Sequence, residues 1–164
     1  SGYALYNPAS YSAISSLVES ANQSKTPIFF DLASVGTMDR FGRRRILDFL
    51  PNVQCIIMNE DEARYLAQAE PRDSSAFYLS LVELAIVKLG ASGALALKRG
   101  PNNAIEESRI KGKTVDVVDT TGAGDAFAAA FISSLLSGSN LTVALEAGDQ
   151  LARQCVGIVG ARPR

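Results

Sequence analysis

The sequence contains no histidine and only two cysteines, Cys55 and Cys155. The missing imidazole excludes a Ser-His-Asp or Cys-His catalytic site built from this chain alone. A tetrahedral zinc site is disfavoured too, because its usual ligands are cysteine and histidine. Any acid–base chemistry therefore depends on Asp, Glu, Lys, Tyr or Cys.

Long hydrophobic runs and a strong charge of either sign are also missing. No apolar run reaches the roughly 18 residues that span a bilayer, and we expect no signal peptide at the start of the given sequence. The net charge of −1 provides no general attraction to nucleic acid or to an anionic membrane. Both cysteines sit among aliphatic residues, as buried reduced thiols do. We expect a cytoplasmic protein that binds neither nucleic acid nor membrane.

What is present fits one globular domain, residues 1–164. Apolar residues make up 47% of the 164 residues, so a core can form without disulfides or metal. The chain begins Ser1-Gly2-Tyr3 and not with methionine. That start is typical of a fragment or of a tag remnant.

Short apolar runs alternate with longer amphipathic stretches along the chain. The expected strands are 27–33, 54–58, 84–89, 93–98 and 114–118. The expected helices are 10–24, 38–50, 60–68, 73–83, 123–137 and 141–157. Nearly continuous Ile, Val, Leu and Phe in the strands favours a sheet that is covered on both faces. The alternation predicts an α/β fold with a largely parallel sheet.

Residues 119–127, DTTGAGDAF, contain a carboxylate in an unusual place. Asp125 is the single charged residue between Thr120 and Leu145, and it directly follows Gly122-Ala123-Gly124. The segment lies where an expected strand gives way to a helix, so its N–H groups can bind an anion with help from the helix dipole. An anion site beside a carboxylate suits phosphoryl transfer. The simpler alternative is an Asp that only complements the helix dipole.

Other nucleotide-binding motifs fit less well. The pattern G-x-G-x-x-G fails because Phe127 stands at the position of the third glycine. Gly112-Lys113-Thr114 resembles the end of a P-loop, but Glu107 occupies the place of its first glycine. A dinucleotide-dependent oxidoreductase is therefore a poor interpretation.

The motif DTTGAGDAFAAAF resembles the C-terminal signature of the ribokinase-like, PfkB-type carbohydrate kinases. Two further elements resemble that family in the same order along the chain. Residues 59–62, NEDE, are similar to its N-x-x-E motif, and residues 88–93, KLGASG, are similar to its strand-to-hairpin turn. The resemblance implies a three-layer ribokinase-like fold, of which this chain corresponds to about the C-terminal half.

The resemblance implies an ATP-dependent kinase that acts on a hydroxymethyl group of a sugar or nucleoside. Asp125 is then the base that deprotonates the acceptor hydroxyl. The N–H groups of Gly122, Ala123 and Gly124 form the hole for the transferred phosphoryl group.

Cofactor sites are implied in the same way. Asn59 and Glu62 organise Mg²⁺ and phosphates through water, and Lys88, Gly90 and Gly93 border the nucleotide. Asp119 and Thr121 match a loop that binds a monovalent cation such as K⁺ in many members, with further ligands from the last ten residues.

Each of these residues also has an ordinary structural explanation. Asn59 is a good helix cap, and Glu62 fits one face of a solvated helix. The two glycines of the KLGASG turn fit the turn alone, and Asp119 fits an ordinary strand end.

The chain departs from the family in one large respect. The family's N-terminal half, which supplies most acceptor contacts and the lid, has no counterpart here. We therefore keep a second hypothesis, a non-catalytic nucleotide-binding or scaffold module of the same fold. The acceptor stays open, and a homodimer is the protein partner that the resemblance allows.

Overall fold

The computed structural model describes residues 1–160, which form eight helices and one five-stranded sheet. The strands are β1 (Phe29–Asp31), β2 (Cys55–Asn59), β3 (Leu84–Lys88), β4 (Ala94–Arg99) and β5 (Ile105–Ile110). The helices are α1 (Gly2–Tyr6), α2 (Tyr11–Gln23), α3 (Val35–Phe41), α4 (Arg43–Phe49), α5 (Glu60–Ala67), α6 (Ser75–Leu81), α7 (Ala123–Leu136) and α8 (Leu141–Val156). The strand order follows the chain, β1-β2-β3-β4-β5, and the predicted α/β class is confirmed.

The first three strands run in the same direction. Strands β1 and β2 pair in parallel, with Phe29 opposite Cys55. The starts of β2 and β3 meet, because Leu84 donates its backbone N–H to the carbonyl of Gln54 at 3.1 Å. Parallel neighbouring strands need a long crossover connection, and α5 and α6 form the connection between β2 and β3. The carboxyl ends of these strands therefore share one edge of the sheet.

Strand β4 runs opposite to the first three strands, and β5 runs opposite to β4, so the sheet is mixed. The N–H of Arg99, at the end of β4, donates to the carbonyl of Glu83 just before β3 at 3.3 Å. The short turn between β4 and β5 is closed by a hydrogen bond in which the N–H of Gly100 donates to the carbonyl of Ala104 at 2.8 Å. Connections this short join antiparallel neighbours.

The expected fifth strand at 114–118 is wrong. This segment has no regular secondary structure, and Val117 and Val118 are exposed. Its alternating pattern is typical of a strand, but the N–H of Val118 donates instead to the carbonyl of Val156 at 2.8 Å. The fifth strand is β5, whose charged sequence IEESRI and exposed face suit a sheet edge.

The expected helix over 38–50 is two helices. Gly42 separates α3 from α4 with a φ of +99°, a backbone conformation that an α-helix does not contain. Both helices bury an apolar side chain, Phe41 in α3 and Ile46 in α4, and Leu50 just after α4 is buried as well. The short helix α1 has no counterpart among the expected elements.

Two compact units make up the structure. Residues 1–87 and 97–106 form the first, which contains the parallel strands and α1 to α6. Residues 88–96 and the chain from 107 onward form the second, which contains α7 and α8. The assignment of 1–164 as a single domain stays a prediction.

Helices α7 and α8 pack against each other at a glycine. A Cβ at Gly148 of α8 would lie 3.0 Å from the carbonyl oxygen of Phe127 on α7. Phe127 and Phe131 are buried, with stacked rings 6.2 Å apart. This packing fixes α7, whose first turn carries Asp125. Among the helices of residues 1–160, none has the length and apolarity needed to cross a membrane.

Candidate functional site

The GAGD segment forms the start of α7, as the sequence predicted. Gly122 is the N-cap residue, with φ +79° and ψ −5°. This left-handed conformation is easy for glycine and strained for most other residues. Asp125 lies in the first helical turn and is exposed. Its carboxylate is therefore accessible at the positive end of a 14-residue helix.

The three predicted anion-binding amides are not equivalent. The N–H of Ala123 donates to the carbonyl of Thr120 at 3.3 Å. Among the hydrogen bonds within residues 1–160, none uses the N–H of Gly122 or of Gly124. Within residues 1–160, the N–H groups of Gly122 and Gly124 are thus available to a ligand. The N–H of Ala123 could bind a ligand only by giving up its long hydrogen bond to Thr120.

Lys88 lies against the same helix start. A Cβ built on Gly124 would be 3.2 Å from the Lys88 Nζ atom, and among the described residues no other group outside this helix turn lies within 4 Å of it. Lys88 is the last residue of β3. The structure thus brings together two residues from separate predicted motifs, the KLGASG turn and the GAGD segment.

Asp119 anchors the loop that precedes α7. Its carboxylate accepts the N–H of Thr121 at 2.9 Å and the N–H of Gly160 at 3.2 Å. Hydrogen bonds from the backbone and side chain of Thr121, and from the Gly160 amide, hold the pKa of Asp119 below its ordinary value. Since 114–118 is not a strand, the interpretation of Asp119 as an ordinary strand end does not apply.

Asp119 and Thr121 are joined by the hydrogen bond from the Thr121 N–H, and their role as ligands of a monovalent cation stays a prediction. Some of the last ten residues, from which further cation ligands were expected, lie outside the described residues. The loop is also held by the Cys155 thiol, which donates to the Thr121 carbonyl at 3.3 Å. Both cysteines are free and buried, as expected.

The glycines of the KLGASG turn have strong structural reasons to be glycine. Gly93 has φ +101° and ψ −133°, and a Cβ there would lie 2.2 Å from the carbonyl oxygen of Ile110. Gly90 has φ +53° and open space around it. The turn itself closes where Leu89 donates to the Gly93 carbonyl at 2.8 Å. The nucleotide role of both glycines stays a prediction.

Asn59 and Glu62 lie in the first compact unit, where they form a complete capping box at the start of α5. The Asn59 Oδ1 accepts the Glu62 N–H at 2.8 Å, and the Glu62 Oε2 accepts the Asn59 N–H at 2.9 Å. The Asn59 side-chain amide also donates to Glu62 Oε1 at 2.8 Å. The capping interpretation of Asn59 is therefore confirmed.

The solvated-face interpretation of Glu62 is wrong, because this residue is 1% exposed. Its neighbours Glu60 and Asp61 are exposed. A buried carboxylate is costly unless it is hydrogen-bonded, and the capping box provides that compensation. The sequence NEDE gave no sign of which of its three acids is buried.

Replacing Asn59 separates its capping role from a ligand role. We expect Asn59→Ala to lower the free energy of unfolding by about 1 kcal/mol, because the α5 cap is lost. Asn59→Ser retains a capping oxygen and should recover most of that loss. If the amide also organises a ligand, the affinity of the Ser variant for Mg-ATP stays about tenfold reduced. Urea unfolding and calorimetry measure the two effects; full recovery of affinity by Ser would leave Asn59 as a cap alone.

Tyr6 of α1 lies near Glu62 and is not among the predicted site residues. Its hydroxyl is buried and has no hydrogen-bond partner within the described chain. Burial, followed by the charges of Glu62 and Asp31, raises the pKa of Tyr6. The hydroxyl therefore stays protonated at neutral pH. No motif marks this tyrosine, since its position follows only from packing against Phe30 and Phe41.

The described residues contain no cluster of three or more Asp, Glu, Cys or His that could hold a metal ion directly. Oxygen ligands and bound water are nevertheless what Mg²⁺ prefers. The role of Glu62 and Asn59 toward Mg²⁺ through water stays a prediction.

The fold and the helix start define a class of protein before any relative is considered. The chain combines a mixed sheet flanked by helices with a helix start that follows two glycines and has a carboxylate in its first turn, and helix starts of this kind are typical of phosphate sites in α/β proteins. Residues 4–163 match the model of the pfkB family carbohydrate kinases. The chain belongs to this family, and the predicted ribokinase-like fold is confirmed.

Individual relatives agree with this assignment. The chain is 35% identical over 122 residues to an ATP-dependent 6-phosphofructokinase of Thermoanaerobacterium thermosaccharolyticum. The aligned segment covers 73% of this chain and 36% of that protein. The crystal structure of adenosine kinase from Sinorhizobium meliloti has a TM-score of 0.90 at 26% identity and covers 99% of this chain. A protein from E. coli solved in complex with ATP and Mg²⁺ has a TM-score of 0.85 at 25% identity and covers 98%.

The chain spans about half the length of its structural relatives or less. It covers 49% of the S. meliloti adenosine kinase and 52% of the E. coli protein.

Proposed function

We propose that this chain carries the nucleotide-binding part of a kinase that moves the γ-phosphoryl group of ATP to a hydroxymethyl group. The observation that carries the proposal is the exposed Asp125 in the first turn of α7, directly after the Gly122–Gly124 amides. Family membership supports it, because the relatives named above include a sugar-phosphate kinase and a nucleoside kinase. The acceptor class is accordingly a sugar or a nucleoside.

In the proposed reaction the acceptor hydroxyl attacks the γ-phosphorus while the bond to the leaving ADP breaks. Asp125 takes the hydroxyl proton, as a carboxylate within hydrogen-bond reach can do. The N–H groups of Gly122 and Gly124, joined by that of Ala123, hold the oxygens of the transferring group. Such preoriented donors stabilise charge that develops in the transition state.

The remaining residues serve the nucleotide and its ions. Mg²⁺, when bound, neutralises phosphate charge and orients the phosphates; Glu62 and Asn59 would hold its water shell. The Asp119 and Thr121 loop would take a monovalent cation such as K⁺, for which carboxylate and carbonyl oxygens are suitable ligands. Lys88 and the glycines of its turn would border the nucleotide.

Calorimetry with Mg-ATP in potassium buffer tests the proposal on this chain. We expect binding to the parent chain and a loss of at least about tenfold in affinity for Gly124→Val, because a branched side chain fills the space at the helix start where phosphate must approach. Gly36→Val is the matched control, since a Cβ at Gly36 meets nothing within 4 Å. It should bind like the parent.

Two results would contradict the proposed site. Equal binding by the parent and by Gly124→Val would place the phosphates elsewhere. Absence of binding to a folded parent would mean that the site needs sequence supplied by the longer relatives, or that this chain is a non-catalytic module. Repeating the titration with a chain of full family length separates these two explanations.

A further inference from the structure

Lys88 and Gly124 make a contact that their separate motifs did not predict. The Nζ atom of Lys88 lies 3.2 Å from where a Cβ of residue 124 would stand. Both residues belong to the second compact unit. The lysine follows the buried run Ala85–Val87 of β3, so the strand delivers its side chain to the first turn of α7.

The electrostatics of this contact are unusual. The start of a helix carries a partial positive charge of about half an elementary charge, and a cation is normally stabilised at the other end. Here an ammonium group and the amides of Gly122 and Gly124 lie at the same helix start. Positive groups that converge in this way stabilise an anion held between them.

We propose that Lys88 is a catalytic residue whose ammonium group contacts the phosphoryl group during transfer. This proposal rests on the proposed function. In it, the Lys88 ammonium group is a charged hydrogen-bond donor that acts together with the amides at the start of α7. As the acceptor oxygen forms its bond to phosphorus and the bond to ADP breaks, the acceptor proton passes to Asp125. The ammonium keeps its own protons and stabilises the negative charge on the phosphoryl oxygens. A charged donor in such a position typically accounts for a hundredfold or more in rate.

The same contact explains the glycine at position 124. Its φ lies outside the left-handed region, so backbone conformation does not require glycine there. Any side chain would press on the Lys88 ammonium at 3.2 Å. We infer that residue 124 lacks a side chain so that the lysine and the helix amides can reach one phosphoryl group.

The test compares Lys88→Met with Lys88→Arg in a chain of full family length. Lys88→Met has a similar length without charge, and Lys88→Arg keeps the charge. We expect Lys88→Met to lower kcat by about 10² to 10³. It should also weaken binding of a non-hydrolysable ATP analogue about tenfold more than binding of ADP, because ADP lacks the γ-phosphoryl group. Lys88→Arg should retain most of the preference for the analogue over ADP.

One calorimetric outcome would overturn the role of Lys88, namely an unchanged preference for the ATP analogue over ADP in Lys88→Met. If both affinities fall by the same factor, the preference is unchanged and the role of Lys88 is structural. Circular dichroism checks folding, and Lys88→Gln, which also removes the charge, takes the place of Lys88→Met if that variant does not fold. A parent protein that binds Mg-ATP but phosphorylates no acceptor would count against the proposed reaction, whereas the comparison of nucleotides would still decide whether Lys88 contacts the γ-phosphoryl group.

Discussion

Asp125→Asn is expected to lower kcat by about 10² to 10⁴ while the Kd for Mg-ATP changes by less than about twofold. The amide has nearly the same shape as the carboxylate but cannot accept the proton of the acceptor hydroxyl. The helix-start amides, which are proposed to hold the phosphates, are untouched by the change. ADP release measured with a panel of sugars and nucleosides, and calorimetry for the nucleotide, give the two quantities separately.

Asp48→Asn is the control for this experiment. Asp48 is exposed on α4 and forms only a weak pair with Arg44, with an N–O distance of 4.0 Å. Loss of such a surface pair changes stability by about 1 kcal/mol or less, and turnover should not change. Similar losses of turnover and of nucleotide affinity in Asp125→Asn would contradict the assignment of this residue as the base.

Gly93→Ala is expected to lower the free energy of unfolding by about 4 kcal/mol or more. Two causes act together at this turn. The backbone at φ +101° and ψ −133° is strained for any residue with a side chain. The added methyl would also lie 2.2 Å from the Ile110 carbonyl oxygen and 2.5 Å from the Gly112 nitrogen. Urea unfolding monitored by circular dichroism, analysed with a common slope, measures the loss.

Two other glycines separate the causes. Gly90→Ala, in the same turn, adds a methyl in open space at φ +53°, so it should cost only about 1–2 kcal/mol. Gly36→Ala, inside α3, meets no atom within 4 Å and should be stabilising by about 0.5–1 kcal/mol. A loss at Gly93 no larger than that at Gly90 would show that the hairpin moves to relieve the collision. The requirement for glycine would then be conformational alone.

Much of the architecture could be predicted because local pattern and burial agree. The apolar runs at 54–58 and 84–89 became β2 and β3, whose central residues are buried. The helix expected at 123–137 is α7, which the structure places at Ala123–Leu136. In these segments the apolar residues that favour the strand or helix also face the core. The hydrophobic pattern therefore predicts both the secondary structure and the buried side chains.

The hydrophobic pattern gave wrong strand predictions where backbone pairing with a neighbouring strand decides whether a strand forms. Residues 114–118 alternate like a strand but have no strand beside them, and Val118 bonds to the C-terminal end of α8 instead. Residues 105–110 look too charged for a strand, yet β4 supplies the backbone partners that make them one. Backbone hydrogen bonds between strands depend on distant neighbours, which a short window of sequence does not contain.

By itself, the sequence determined the chemistry available to this protein. The absence of histidine left carboxylates as the natural bases, and the two glycines before Asp125 indicated a candidate anion site at a helix start. The tertiary structure decided which groups meet and which are buried. It buried Glu62 within its capping box and placed Lys88 against Gly124 across 36 positions of the chain. Such contacts arise when separate elements pack, since side chains far apart in sequence become neighbours only once the chain has folded.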